Sequence, residues 1–294
     1  MQRRWPVLAA TIPMALGWAL AAAHPAAAAG LADPGGQVQP GGPVSQLSQP
    51  DGTLPGDTGS GHVFTAGGAP PGLVTPQVSS GQPGTRNKVV SSSNWAGYAA
   101  SGSNGTFTSA SASWTQPAGK CTGGSTYAAF WVGLDGYTSS TVEQVGTEVD
   151  CSGRTPHYYA WYEIYPGASV NFPRQVSPGD QFTGSVTAQG GGTFQLVLKD
   201  LTKGWTQTAS ATLNGAALSS AEVIAEAPSS GNRTLPLTNF GTASFTAASA
   251  NGKSMATFGP DEITMPNTAV SAMTSAGNFS VTYTGSAFPW WFGF

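Results

Sequence analysis

The sequence predicts an all-β protein, a sandwich or a barrel, and three observations carry that reading. From residue 87 to residue 294 apolar and polar residues alternate in short runs, the period of a strand with one buried face. Gly-, Asn- and Pro-containing turns separate the runs at short spacing. No stretch carries a convincing helical period, and no internal repeat is visible. The runs fall at 94–100, 106–116, 127–134, 141–149, 158–165, 181–188, 193–200, 206–213, 222–225, 243–247 and 279–283.

Two of these runs, 141–149 and 158–165, are joined by a turn at Ser152-Gly153-Arg154-Thr155-Pro156 and read as a hairpin. Strand side chains alternate faces, so Val142, Gln144, Gly146 and Glu148 share one side. Tyr159, Trp161, Glu163 and Tyr165 likewise share one side of the second strand. A carboxamide, two carboxylates and three large aromatics can thus line one surface. A solvated sheet face is normally filled with Thr, Ser and Lys, and this composition describes the floor of a groove.

The N-terminal 1–29 reads as a secretory signal. Arg3 and Arg4 are positive, 7–20 is mostly apolar, and Ala26-Ala27-Ala28-Ala29 offers an A-x-A cleavage site. The apolar run is too short for a membrane span, which needs about 20 residues. The expectation is export to the extracellular space, with no membrane contact once the signal is removed. Residues 30 to about 82 are Gly, Pro, Ser and Gln with hardly an aromatic. Such a stretch cannot bury a core, so 30–86 is expected to be a propeptide or a disordered segment. The folded domain is expected over 87–294. Its aromatic tail, Phe288-Pro289-Trp290-Trp291-Phe292-Gly293-Phe294, reads as a last strand packed on the sandwich.

Only 9% of residues are charged, against about 25% in an ordinary soluble domain. The net charge of -3 provides no basic field, which argues against a nucleic-acid partner. A surface of Ser, Thr, Asn and Gly also gains little charge when carboxylates protonate, so tolerance of acid follows. The two cysteines, Cys121 and Cys151, would meet an oxidising compartment and pair. That bridge would close a loop of roughly 30 residues and contribute about 3–4 kcal/mol.

The folded block keeps a single histidine, His157, beside a turn, since His24 and His62 precede it. A histidine-rich metal site is excluded there, and a Ser-His-Asp triad could use only His157. Neither a G-x-S-x-G, an H-E-x-x-H, a P-loop nor a G-x-G-x-x-G element stands in a fitting context. Carboxylate chemistry survives. Glu222 and Glu226 stand four apart in an apolar run, so on one strand they share a face. A carboxylate among Ala, Val and Ile needs a partner or a task, and burial raises its pKa toward the working range of a general acid–base.

At these residues the chain resembles the glutamic peptidases, the eqolisin family of secreted acid endopeptidases. The matching segments are Ser93-Asn94-Trp95-Ala96-Gly97-Tyr98, Trp131-Val132-Gly133-Leu134-Asp135-Gly136, Glu143-Gln144-Val145-Gly146-Thr147-Glu148, Tyr159-Ala160-Trp161-Tyr162-Glu163-Ile164-Tyr165-Pro166 and Ala221-Glu222-Val223-Ile224-Ala225-Glu226. Asn239-Phe240-Gly241 fits a sixth, and all six stand in family order. The resemblance implies a concanavalin A-like β-sandwich of two curved antiparallel sheets with the active site on a concave face. It implies Gln144 and Glu226 as the catalytic pair, with Trp95, Trp131, Asp135, Glu148, Glu163 and Tyr165 binding substrate or supporting the site. It further implies a polypeptide substrate, a monomer, and no cofactor or metal. Two positions depart from the fungal pattern: Val223 stands for a Trp, and Glu148 for an Asp.

In that chemistry Glu226 takes a proton from water and later returns it to the leaving nitrogen, while Gln144 donates to the developing oxyanion. Two other functions fit the same residues less fully. A glycoside hydrolase would use carboxylate pairs such as Glu148 with Glu163, or Glu222 with Glu226, beside Trp161 and Tyr165. A carbohydrate-binding module would use exposed tryptophans without turnover.

Overall fold

The computed structural model describes residues 75–77, 88–230 and 233–285. The signal at 1–29 and the tail at 288–294 lie outside the described residues. So does most of the 30–86 segment, but Thr75–Gln77 within it forms a three-residue strand, β1. There follow β2 (Val89–Ser91), β3 (Trp95–Ser101), β4 (Ser109–Thr115), β5 (Ser125–Leu134), β6 (Val142–Ser152), β7 (Thr155–Tyr165) and β8 (Val170–Asn171). Next come β9 (Gln181–Gly190), β10 (Thr193–Asp200), β11 (Trp205–Thr212) and β12 (Ser220–Glu226). A small hairpin, β13 (Ser229–Ser230) and β14 (Arg233–Thr234), leads to β15 (Thr242–Ala250) and β16 (Lys253–Ser254). One 3-10 turn, Met255–Phe258, precedes β17 (Asp261–Thr264), β18 (Thr268–Val270) and β19 (Phe279–Tyr283).

The strands form two large sheets, as expected. The first runs β1-β2-β17-β3-β12-β5-β6-β7-β8, and the second β11-β10-β9-β4-β15-β19-β18 with β16 on β15. Both are antiparallel with one exception: β17 lies parallel to β2. The second sheet has the simple pattern of a half-buried surface. In β4 and β10 alternate residues are buried, with Trp114, Leu196 and Leu198 inward and Ser111, Ser113 and Gln195 outward. Between the sheets lies a core containing Phe130, Val132, Phe182, Phe194 and Phe245.

The centre of the first sheet behaves differently. Strands β3, β5, β6 and β12 are buried on both faces over most of their length. One face packs on the second sheet. The other carries its own cluster of Trp95, Ala129, Trp131, Trp161, Ile224 and Ile263, with Tyr137 and Tyr165 against it. This outer face is the expected groove floor.

Two points of detail differ from the sequence reading. The β6–β7 turn is confined to Gly153 and Arg154, because Thr155 and Pro156 already pair with Ser152 and Cys151. His157 is therefore an exposed strand residue rather than a turn residue. Cys121 and Cys151 are bonded, with their Cα atoms 5.4 Å apart. The bridge fastens the end of β6 to the loop that precedes β5.

Candidate active site

Cross-strand register organises the outer face into three rows. The first contains Asp261, Ala99, Glu222, Gly133, Gln144 and Glu163. The second contains Gly97, Ile224, Trp131, Gly146, Trp161 and Asn171. The third contains Trp95, Glu226, Ala129, Glu148 and Tyr159. Polar rows thus flank a row of indoles. The two strand faces expected from alternation lie side by side, and the register sets Gln144 opposite Glu163 and Glu148 opposite Tyr159.

The glycines in these rows make the indoles fit. A Cβ on Gly146 would stand 2.6 Å from the Trp131 Cβ, so only a hydrogen is accommodated there. A Cβ on Gly133 would crowd both the Trp131 ring and the Gln144 Cβ at 3.1 Å. Trp131 in turn meets Trp95 edge to face, with centroids 5.0 Å apart.

Glu226 is fully buried and both its oxygens accept hydrogen bonds. Asn94 Nδ2 donates to Oε1 at 3.1 Å, and Trp131 Nε1 donates to Oε2 at 2.7 Å. Burial pushes its carboxyl up to about 8, and the Trp131 and Asn94 hydrogen bonds work against that rise. Gln144, also buried, donates from Nε2 to Glu163 Oε2 at 2.6 Å. Glu163 is pushed up to about 9, by burial first and then by the charge of Glu226. This electrostatic link joins the Gln144 row to the Glu226 row. Glu148 is half-buried, and its carboxyl is raised by burial, by Asp150 and by Glu226.

Gln144 and Glu226 are not row-mates. Across Gly133 from Gln144 stands Glu222, which is fully buried. Glu222 is held protonated by burial, reinforced by Asp135 and Glu143.

Trp95, Trp131, Glu148, Glu163 and Tyr165 all gather on this face. Asp135 directly follows the end of β5, and its charge acts on Glu222. Its carboxylate accepts from the backbone N–H of Leu218 at 2.7 Å and of Ser219 at 2.8 Å. It thereby fixes the segment that enters β12, and its support of the site is indirect. Asn94 was missed as a site residue. A polar side chain at a strand entrance carries no periodic signal, although it stood inside a matching motif.

The sheet face thus holds a gripped carboxylate, a carboxamide and a row of tryptophans together. Among the described residues it has no free cysteine and no cluster able to hold a metal ion. The chain belongs to the Peptidase A4 family, whose model matches residues 93–287. It is 32% identical over 166 residues to Aspergillopepsin-2 of Aspergillus niger, covering 53% of this chain and 58% of that protein. The chain thus spans little more than half the length of that curated relative.

Among solved structures the fold matches scytalido-glutamic peptidase with a transition state analog inhibitor. That match has 26% identity and a TM-score of 0.57, over 65% of this chain and 98% of the other. It also matches SCP-B, a member of the eqolisin family solved with the tripeptide Ala-Ile-His. Here identity is 26% and the TM-score 0.54, with the same coverage of 65% and 98%.

Proposed function

We propose that this chain is a secreted acid endopeptidase that hydrolyses peptide bonds with Glu226 and Gln144. The observation that carries the reading is the grip on Glu226. N–H donors on both carboxyl oxygens suit the ionised form and orient it, whereas burial and the charges of Asp135 and Glu143 favour the neutral form of Glu222. Glu226 takes a proton from the attacking water. Because burial raises its proton affinity, it is a stronger base than an exposed carboxylate and holds that proton until the leaving nitrogen collects it. The Gln144 amide bonds Glu163 through Nε2 and, being neutral at every relevant pH, keeps its N–H donors in acid to serve the developing oxyanion. The solved relatives hold a transition state analog and a tripeptide, which supports a peptide ligand on this face.

The working state has one negative charge. Glu163 and Glu148 are both raised by the charge of Glu226, so Glu226 ionises first and then holds protons on its neighbours. Activity is expected on the acid side of neutrality, where Glu163 and Glu148 keep their protons and the ionised fraction of Glu226 carries the reaction. Incubation of processed protein with an unfolded protein at acidic pH, with products mapped by mass spectrometry, tests the reading. Internal cleavage is expected. Release of reducing sugar from a polysaccharide without proteolysis would replace it with the glycosidase reading.

A further inference from the structure

Glu148 shares its row with Glu226, and only Ala129 stands between them. Ala129 is fully buried and offers only a methyl group between them, and the charge of Glu226 acts on Glu148. Further along the same face of β6 is Asp150, opposite Tyr127 of β5 and His157 of β7. The titratable groups facing Glu148 are therefore Glu226 of β12, Asp150 of its own strand, Tyr127 of β5, and Tyr159, Glu163 and His157 of β7. The one potential cation among them, His157, is exposed.

Glu148 and Glu226 are solvated in opposite ways. Each oxygen of Glu226 meets an N–H, which favours charge. The Oε1 of Glu148 is buried without a partner, and its carboxyl hydrogen-bonds Asp150. An acid with one undonated buried oxygen and a carboxylate neighbour is best accommodated with a proton on it, donated to that neighbour.

We propose that Glu148 and Asp150 share one proton, and that Glu148 is a positioning residue which keeps a second negative charge out of the Glu226 row. When that proton leaves, two carboxylates face each other across Ala129. Glu226 is then driven to bind a proton before any water reaches it, and turnover ends. The shared proton therefore sets the upper pH limit of the reaction. Burial first, then Asp150 and Glu226, hold it above the ordinary carboxylate range. The inference rests on the proposed role of Glu226.

The test is the pH profile of kcat for the wild type, Glu148→Gln and Asp150→Asn, on an unfolded protein substrate. Glutamine at 148 can donate to Asp150 but cannot ionise, so the alkaline limb is expected to move up by about one pH unit or more. Asparagine at 150 removes the charge that retains the proton, so the limb is expected to move down. A purely structural role would lower kcat at every pH and leave the limb in place. Limbs that stay put, or that move in the same direction, overturn the proposal. Should Glu148→Gln fail to fold, Asp150→Asn decides alone: a downward shift supports the proposal and an unmoved limb overturns it. Glu226→Gln separates the two readings. If it is inactive while the limbs do not move, only the shared proton is lost; if it is active, the role of Glu226 falls.

Discussion

The indole of Trp131 donates to Glu226 Oε2 at 2.7 Å from the strand beside the one that carries the acid. Trp131→Phe keeps an aromatic ring in the indole row and removes only this N–H. A hydrogen bond to a charged group contributes about 1.5–3 kcal/mol. We expect kcat to fall by roughly 10- to 100-fold on that scale, with the fold intact by circular dichroism. The acid limb of kcat should also shift upward, because ionised Glu226 loses a donor. Unchanged kcat would mean that this bond does not orient the base.

The two glutamates of β12 are separable. Glu226→Gln keeps the shape but cannot take a proton from water, so turnover should be abolished. Gln144→Glu replaces an amide donor with an acid that donates only when protonated, and should be nearly inactive wherever that acid ionises. Glu222→Gln should be much milder, since Glu222 is already held neutral. Loss of activity in Glu222→Gln with retention in Glu226→Gln would reverse the assignment and make the Glu222–Gly133–Gln144 row the reacting one.

Stability should be greatest in acid. Glu143, Glu163 and Glu226 are raised from an ordinary 4.5 to about 8, 9 and 8, in each case chiefly by burial. Below 4.5 both folded and unfolded chains are protonated, and the stability from these groups is fully present. Above it the unfolded chain ionises while the folded one does not. Each group then costs about 1.4 kcal/mol per pH unit, until its folded value is reached near 8 to 9. Melting temperature should therefore fall from about pH 4.5 to pH 9. Glu143→Gln removes one such group on the face opposite Gln144, so its advantage over wild type should grow with pH and vanish near pH 4. A wild-type maximum at neutral pH would contradict this account.

The Cys121–Cys151 bridge closes a loop with a sequence separation of 30. Thiol titration of unfolded, unreduced secreted protein should find no free thiol. Replacing both cysteines with serine should destabilise the fold by about 3–4 kcal/mol. Because the bridge anchors the far end of β6, kcat should fall less than stability does.

Mass spectrometry of the active species should find a start between Arg86 and Ser92. An intact start at Gly30 with full activity would remove the propeptide role.

The sheets were legible where strands are long and alternate, as in 193–200 and 279–283, which the structure matches at both ends. The shortest strands were not, and three of them build the margins of the sheets. Val89–Ser91, Asp261–Thr264 and Thr268–Val270 span three or four residues, too few for a period to register. Their pairings, β17 on β2 and β3, join segments distant in sequence. The hairpin face was readable because alternation fixes it, whereas the Asp135 clamp depends on a positive-φ turn that brings β12 alongside. Strand alternation also cannot say which glutamate of β12 receives donors. That is decided by Asn94, just before β3, and Trp131, within β5, which are distant in sequence from Glu226.

The parallel pairing of β2 has a consequence for how the molecule ages. β2 sits between β1 and β17, and Ser92, directly after it, contacts Asn94, with its Oγ donating to Oδ1 at 3.2 Å. Maturation at 86–92 would take β1 away and turn β2 into the margin of the sheet. An exopeptidase nibbling past Ser91 would then unfasten the hand that holds Glu226 while leaving the two-sheet body standing. Such worn molecules would pass a folding assay and fail a turnover assay.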